Sequence, residues 1–355
     1  MKYHTVIEKL PQELVREDQL ELLLRERAIR LAADLLRQGE LVAFPTETVY
    51  GLGADATRSE AVAQIFLAKG RPQDNPLIVH IAREEQLKQI IAGPLPPLAE
   101  ELIKTFWPGP LTIIVNKNEA IPPVITAGLD SVAVRMPAHP VARALITAAG
   151  IPLAAPSANL SGTPSPTLAT HVWTDLQGRI PLIIDGGPAR IGIESTVIDF
   201  RAQTPLILRP GGLSRERLEA VLGIELEVAA EITAEEEKPL SPGMKYRHYS
   251  PATPLLLNNF DRAEQLAEIS EQYRDKRIAL VVTAETARGL EHLANNFKVV
   301  VMGSRSSPAG IAANLFAILR ELDHLKLDKI IVEMIPETGI GMAVMNRLHR
   351  ASKVE

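Results

Sequence analysis

The chain predicts two α/β domains in series, and three observations carry that prediction. From Pro76 to Ser214 short β-rich runs follow one another (PLIVHIA, LTIIV, SVAVRMP, IPLAAPS, PLIIDGG, STVIDF, PLILRPGG), with helical patterns between some of them. That alternation reads as one domain on a large mixed, twisted sheet. Beyond residue 252 the rhythm becomes strand then helix, four times over, which reads as a small parallel sheet with helices packed on it. Between them lies an acidic, proline-bracketed stretch read as a linker. At 355 residues the chain exceeds one typical domain. The boundaries drawn are 21–214, a linker over 215–252, and 253–352.

The elements follow in order. Glu21 to Gln38 reads as an amphipathic helix that stops at Gly39. LVAFP is a strand, and TETVYGLGADAT reads as turn-rich. Ser59 is placed to cap a helix through Lys69, with Ala61, Ile65 and Ala68 on one face. Further helical patterns cover Leu98–Phe106 and His139–Ala149. In the second domain the strands are PLLLNNF, RIALVVT, KVVVMGS and KIIVEMIP. Their helices are RAEQLAEISEQY, AETARGLEHLANN, PAGIAANLFAILRELDHL and GMAVMNRLHRAS.

Composition narrows the function. Apolar residues make up 46% and charged residues 23%, ordinary values for a chain with real cores. The absence of cysteine removes disulfides, thiolate zinc sites and a thiol nucleophile, and suits a reducing cytoplasm. No run approaches the roughly 20 apolar residues of a membrane span, and the N-terminus lacks the apolar core of a secretory signal. A net charge of −5 is not the footprint of a protein that coats nucleic acid.

Several common chemistries lack their parts. Gly-Lys never occurs, which excludes a P-loop, and neither G-x-S-x-G nor H-E-x-x-H is present. Gly51-Leu-Gly53-Ala-Asp-Ala56 matches G-x-G-x-x-A, but TETVY separates it from the strand and the helix begins only near Ser59. A dinucleotide fingerprint requires a direct strand-to-helix turn.

Four stretches place polar groups where a plain sheet protein would not need them. In LAKGRPQDNPLIVH, Lys69 and Arg71 are either cations completing a helix C-terminus or, with Asn75, a phosphate clamp on a rigid turn; His80 follows on a strand. In SVAVRMP, alternation puts Arg135 with Ala133 opposite the valines. It is an exposed charge or a buried fork for a carboxylate, and a neighbouring stretch rich in hydroxyls rather than acids favours the fork. That neighbour, APSANLSGTPSPT, offers Ser157, Asn159, Ser161, Thr163 and Ser165, each of which a capped turn would also explain. In GIESTVIDF…LILRPGG, Ser195 and Thr196 open a strand and Arg209 ends the next, beside glycines that permit close backbone approach to a ligand.

Taken together and in this order, FPTETVYGLGAD, KGRPQDNPLIVH, WPGPLT, PSAN, EST and LRPG closely resemble the threonylcarbamoyl-AMP synthase family in its long form. That form has a YrdC-like catalytic domain with a concave site, a linker and a small Rossmann-like C-terminal α/β domain. The resemblance runs from about Glu21 to Ser352. It implies formation of threonylcarbamoyl-AMP and pyrophosphate from ATP, L-threonine and bicarbonate, with Mg²⁺ held by phosphate oxygens and water rather than side chains. A separate tRNA threonylcarbamoyl transferase then uses the product to modify tRNA beside the anticodon, and any tRNA contact of this chain itself is weak.

The resemblance also implies residue roles. Lys69, Arg71 and Asn75 hold the phosphates, Lys69 and Arg71 being the catalytic pair. Ser131, Ser157, Asn159, Ser165 and Arg209 line the nucleotide side. Arg135 pairs with the threonine carboxylate, and Thr46, Thr48, His80, the Ala155 backbone and Ser195 complete the amino-acid pocket. SPGMKYRHYSP, Ser241 to Pro251, is then a cover for a labile acyl phosphate, with Tyr246 near the nucleotide and Lys245, Arg247 and His248 near phosphate. Two rivals remain: a non-catalytic RNA-binding or ribosome-associated protein, and carbamoyl transfer through carbamoyl-AMP, whose acylphosphatase and zinc-finger parts this chain does not supply.

Overall fold

The computed structural model describes residues 2–229, 239–240, 248–260, 268–269, 271–290 and 297–352. The chain divides into two compact units, Met1–Ser161 with Ser165–Tyr246, and Gly162–Pro164 with Arg247–Glu355.

Among the described residues the first unit has eleven strands: β1 (Val6–Lys9), β2 (Val42–Pro45), β3 (Tyr50–Asp55), β4 (Ile78–His80), β5 (Leu111–Asn116), β6 (Ser131–Arg135), β7 (Leu153–Ala154), β8 (Leu182–Asp185), β9 (Thr196–Asp199), β10 (Leu206–Arg209) and β11 (Glu227–Val228). Their order is β1-β8-β2-β3-β7-β4-β6-β5-β9-β10-β11. The sheet is mixed, as expected: β4 runs parallel to β6 and β5 parallel to β9, while β5 and β6 are antiparallel.

Alternation along the strands feeds two cores. On β2, Val42 and Phe44 enter one with Leu23, Ile29, Leu36 and Leu145, while Ala43 enters the other with Ile65, Val79, Ile113 and Val134. The Arg27–Arg37 helix buries Ala28, Ile29, Ala32, Ala33 and Leu36, a single stripe at helical spacing.

Five details depart from the sequence reading. The helix expected from Glu21 to Gln38 is two, Leu20–Arg25 and Arg27–Arg37, because Glu26 is extended at ψ 134°. Ser59 does not cap its helix; Arg58 holds that position, and the Asp55 carboxylate instead accepts from the Thr57 N–H at 2.8 Å. The sheet begins before residue 21, since β1 pairs with β8. It is also supported beyond residue 214, in the stretch read as linker. There the Arg215–Leu222 helix sends Leu218 and Leu222 into the main core, an i,i+4 pair masked in the sequence by charged neighbours.

The fifth departure is β3. The turn-rich TETVYGLGAD contains a buried strand whose glycines face the ring of Phe44 across the β2–β3 ladder. A Cβ on Gly53 would lie 2.8 Å from Phe44 Cε1, and one on Gly51 3.4 Å from Cζ. The G-x-G pattern makes room for an aromatic ring.

In the second unit β12 (Leu255–Asn258), β13 (Ile278–Thr283), β14 (Lys298–Gly303) and β15 (Lys329–Glu333) form a parallel sheet in the order β12-β15-β13-β14. Helices Pro308–Asp323 and Gly341–Ser352 stand where the sequence puts them. Much of the other two expected helices lies outside the described residues; Ala284–Ala287 is the helical part of the second that is described. At the carboxyl ends of β13 and β15, fully buried Glu333 accepts from the Thr283 N–H at 2.6 Å and from Arg305 Nε at 2.9 Å.

The slot under Phe44 makes a stability prediction. Gly53→Ala over-packs it and should cost about 1–3 kcal/mol, the usual range for an extra methyl in a filled core. Adding Phe44→Leu should recover part of the loss. Urea unfolding of the parent and the two variants checks this, and a Gly53→Ala chain as stable as the parent would contradict it.

Candidate active site

The site is organised by register. On the paired strands His80 stands beside Arg135, and Arg135 stands beside Thr112, so the three share one face of the sheet. Arg135 is 3% exposed, and each of its guanidinium nitrogens makes one hydrogen bond. Nε donates to the Gly109 carbonyl at 3.2 Å, Nη1 to Thr48 Oγ1 at 2.8 Å and Nη2 to Glu47 Oε1 at 2.5 Å. Arg135 is therefore the buried fork rather than an exposed charge. The acid it meets is one the sequence reading passed over, although Glu47 lies inside the quoted TETVY motif. A buried ion pair is tolerable only when its geometry and hydrogen bonds repay desolvation.

Thr48 is presented to Arg135 by a local turn. Thr46 Oγ1 bonds the Val49 carbonyl at 2.7 Å and lies 2.7 Å from Thr48 Oγ1. Thr112, beside Arg135 in the ladder, has its hydroxyl 2.7 Å from Ser195 Oγ. Arg209 Nη2 reaches the Ser195 carbonyl at 2.9 Å and Oγ at 3.2 Å. Thr46, Thr48, Arg135, Ser195 and Arg209 thus gather in one place around Thr112, another residue not singled out beforehand.

The glycines after Arg209 serve a different purpose from the one expected. A Cβ on Gly211 would lie 2.3 Å from the Ser195 carbonyl carbon and 2.4 Å from the Thr196 nitrogen. The close approach of Gly211 is to the chain's own backbone, and beside it the Gly212 N–H donates to the Glu194 carbonyl at 2.9 Å. Glu194 is buried and its carboxylate accepts from Ser165 Oγ.

A second group gathers on loops. Lys69 is 2% exposed, at the end of the Ser59–Lys69 helix before Gly70 at φ +61°. Its Nζ donates to the carbonyls of Ser157 and Asn159, and Ser157 Oγ donates to Asn159 Oδ1 at 2.5 Å. Lys69 is therefore neither a plain helix-end cation nor an exposed clamp, since it ties the KGR turn to the PSAN loop. Arg71 donates to the carbonyls of Asn75 at 3.2 Å and Pro76 at 2.9 Å. Asn75 is 1% exposed, and its Oδ1 is buried with no hydrogen-bond partner among the described residues.

The remaining expected residues are less connected. The Ala155 N–H is spent on the Ile78 carbonyl at 2.9 Å. Ser131 opens β6 at its opposite end, on the Arg135 face by alternation. Tyr246, Lys245 and Arg247 lie outside the described residues. Of the expected cover, Tyr249 is buried in the second unit at φ +63°, stacked 5.4 Å from Phe316 with the Arg347 guanidinium 5.2 Å from its ring centre.

Burial also decides the charge of two histidines. Desolvation, with the Arg135 charge beside it, pulls His80 down to about 3, and its Nδ1 lies 3.2 Å from the Ile78 carbonyl. Desolvation pulls His139 down to about 4 against the opposing effect of Glu47. Both are neutral at pH 7. The unfolded chain binds protons below about 6.5 that the folded chain refuses, so this contribution is complete above that pH. It falls as pH drops, toward 4 for His139 and 3 for His80, at roughly 1.4 kcal/mol per pH unit per residue. His139 also caps the Pro140–Ala149 helix, Nδ1 accepting from the Val141 N–H. His139→Asn keeps the cap and removes the titration. It should lose about 2 kcal/mol less between pH 7 and 4.5 than the parent, measured by urea unfolding at both pH values. Parallel losses would contradict this.

Two family models account for most of the chain: one described as "Telomere recombination" (Sua5, YciO, YrdC) matches residues 34–211, and one described as "Threonylcarbamoyl-AMP synthase, C-terminal domain" matches residues 213–353. A threonylcarbamoyl-AMP synthase from Bacillus subtilis (strain 168) is 49% identical over 335 residues, covering 94% of this chain and 95% of its own. One from Pyrococcus abyssi (strain GE5 / Orsay) is 48% identical over 346 residues, covering 93% and 95%. The crystal structure of P. abyssi Sua5 complexed with L-threonine superimposes with a TM-score of 0.85 at 44% identity, over 99% of this chain and 97% of that one. With both family models matched in sequence and nearly the whole fold shared, the chain belongs to the threonylcarbamoyl-AMP synthase family.

Proposed function

We propose that the first unit converts ATP, L-threonine and bicarbonate into threonylcarbamoyl-AMP and pyrophosphate. The observation that carries this reading is the buried Arg135. A guanidinium has five N–H groups, and three bonds to Gly109, Thr48 and Glu47 leave two for a carboxylate. The hydroxyls of Thr46, Thr48 and Ser195 and the neutral ring of His80 suit a small polar amino acid.

The chemistry asks for positioning and charge, with no protein nucleophile. The threonine amine captures bicarbonate with loss of water, and a carbamate oxygen then attacks the α-phosphorus while pyrophosphate leaves. ATP and the carbamate are both anionic, so cations on rigid supports stabilise the charge that develops. We assign Lys69, Arg71, Asn75 and Arg209 to phosphate, and Ser131, Ser157, Asn159 and Ser165 to the rest of the nucleotide. Asn75 Oδ1, buried with no hydrogen-bond partner among the described residues, is the polar atom in this group most in need of a ligand.

Among the described residues no three His, Cys, Asp or Glu side chains come together to hold a metal. The donors here fit Mg²⁺ arriving with ATP, coordinated by phosphate oxygens and water. Such an ion would neutralise charge on the departing pyrophosphate. The product is a mixed anhydride that calls for a downstream acyl acceptor, which we take to be tRNA served by a separate transferase. Among the described residues no helix is long and apolar enough to cross a membrane, and we place the enzyme in the cytoplasm.

Pyrophosphate release that requires both threonine and bicarbonate is the expected result, and release indifferent to threonine would overturn the reading. Arg135→Lys keeps the charge but loses the fork; threonine KM should rise about tenfold or more, the scale of one charged hydrogen bond, with ATP KM little changed. The reverse pattern would remove Arg135 from the threonine side. Lys69→Met should cost stability as well as ATP affinity, about 1–3 kcal/mol in unfolding, because two carbonyls lose their buried donor. Unchanged stability would show that the Ser157 and Asn159 carbonyls do not depend on it.

A further inference from the structure

We propose that Glu47 receives the α-ammonium group of the amino-acid substrate, so that Arg135 and Glu47 together read a zwitterion. The inference rests on the threonine reading and adds a specificity-determining residue to it.

Glu47 is 3% exposed, between Thr46 and Thr48. Its Oε1 accepts from Arg135 Nη2 at 2.5 Å, whereas Oε2 is buried with no hydrogen-bond partner among the described residues. A carboxylate oxygen shut away from water without a donor is costly to keep. A carboxylate acting only as counter-ion to an arginine commonly takes the fork with both oxygens. Here Thr48 occupies Nη1, and Glu47 is left one-handed. His139, whose titration also feels the Glu47 charge, does not supply the missing donor, since Oε2 has no hydrogen-bond partner among the described residues.

The vacant acceptor sits on the same ion pair as the two remaining Arg135 N–H groups. An α-amino acid has its carboxylate and ammonium on one carbon, so its two charges match those two vacancies. A carboxylate alone on Arg135 would face the like charge of Glu47. The ammonium of a zwitterion sits between the two carboxylates and turns that repulsion into attraction. The pair therefore selects against small acids that lack an amine, by leaving Oε2 unpaired when they bind.

The test compares two ligands by calorimetry on the full chain: L-threonine, and (2S,3R)-2,3-dihydroxybutanoate, in which a hydroxyl replaces the amine. The unaltered protein should prefer threonine by roughly tenfold or more. Glu47→Gln should weaken threonine about tenfold, leave the dihydroxy acid within about threefold and leave ATP affinity unchanged. Glu47→Asp, which keeps the charge on a shorter stem, should retain part of the preference. Equal affinities of the unaltered protein for both ligands would overturn the proposal, even if the Gln variant does not fold. So would a Gln variant that loses both ligands equally, because Glu47 would then only hold Arg135 in place. Failure of the unaltered protein to bind threonine at all would instead strike at the function proposed above.

Discussion

A guanidinium cannot be buried in a β-sheet unless nearly everything around it is arranged to receive it. Arg135 is the last residue of β6, and its partners come from three directions: the Thr46–Val49 turn, the Gly109 carbonyl and the ladders to β4 and β5. A one-residue slip of β6 would carry the guanidinium to the opposite face, among Val79, Ile113 and the rest of the main core. The charge therefore helps to fix the register of the strands that present Thr112 and His80. Through Thr112 the same constraint extends to Ser195 and Arg209.

Much of this was legible in the order of short motifs, because residues of unusual chemistry stand out against an apolar strand. Arg135 is conspicuous among valines, and Lys69, Asn75 and Arg209 are conspicuous at element ends. Glu47 and Thr112 were not, for different physical reasons. Glu47 lies among polar turn residues, where an acid is unremarkable until a cation is found facing it. Thr112 is an ordinary β-branched residue, and its importance comes from register, which no local pattern records. Lys69 was visible, but whether it ends a helix or crosses to another loop depends on the Ser157 and Asn159 carbonyls, supplied 88 and 90 residues away.

Glycine patterns were read less well than charges, since a missing side chain says nothing about what fills the space. Gly51 and Gly53 imitate a nucleotide fingerprint yet accommodate Phe44. The second unit poses the converse case. It has no glycine-rich first loop, but at the carboxyl ends of its central strands a buried carboxylate, Glu333, is enclosed by Thr283, Thr286 and Arg305. Those bonds stitch β13 to β15 at the end of the sheet where side chains would otherwise splay, a sufficient reason for the cluster.

The seam between Gly211–Leu213 and Glu194–Thr196 bears on how sequence variants of this enzyme are interpreted. Backbone lies on backbone there, so alanine at 211 is already too large, and the damage would reach the Ser195 carbonyl that Arg209 grips. A harmful change at Gly211 would therefore look, in a functional screen, like the loss of the nucleotide contact proposed for Arg209. Its origin would be a strand pushed away from its neighbour. A screen that scores activity alone would merge two kinds of lesion at this seam, one chemical and one steric, that call for different remedies.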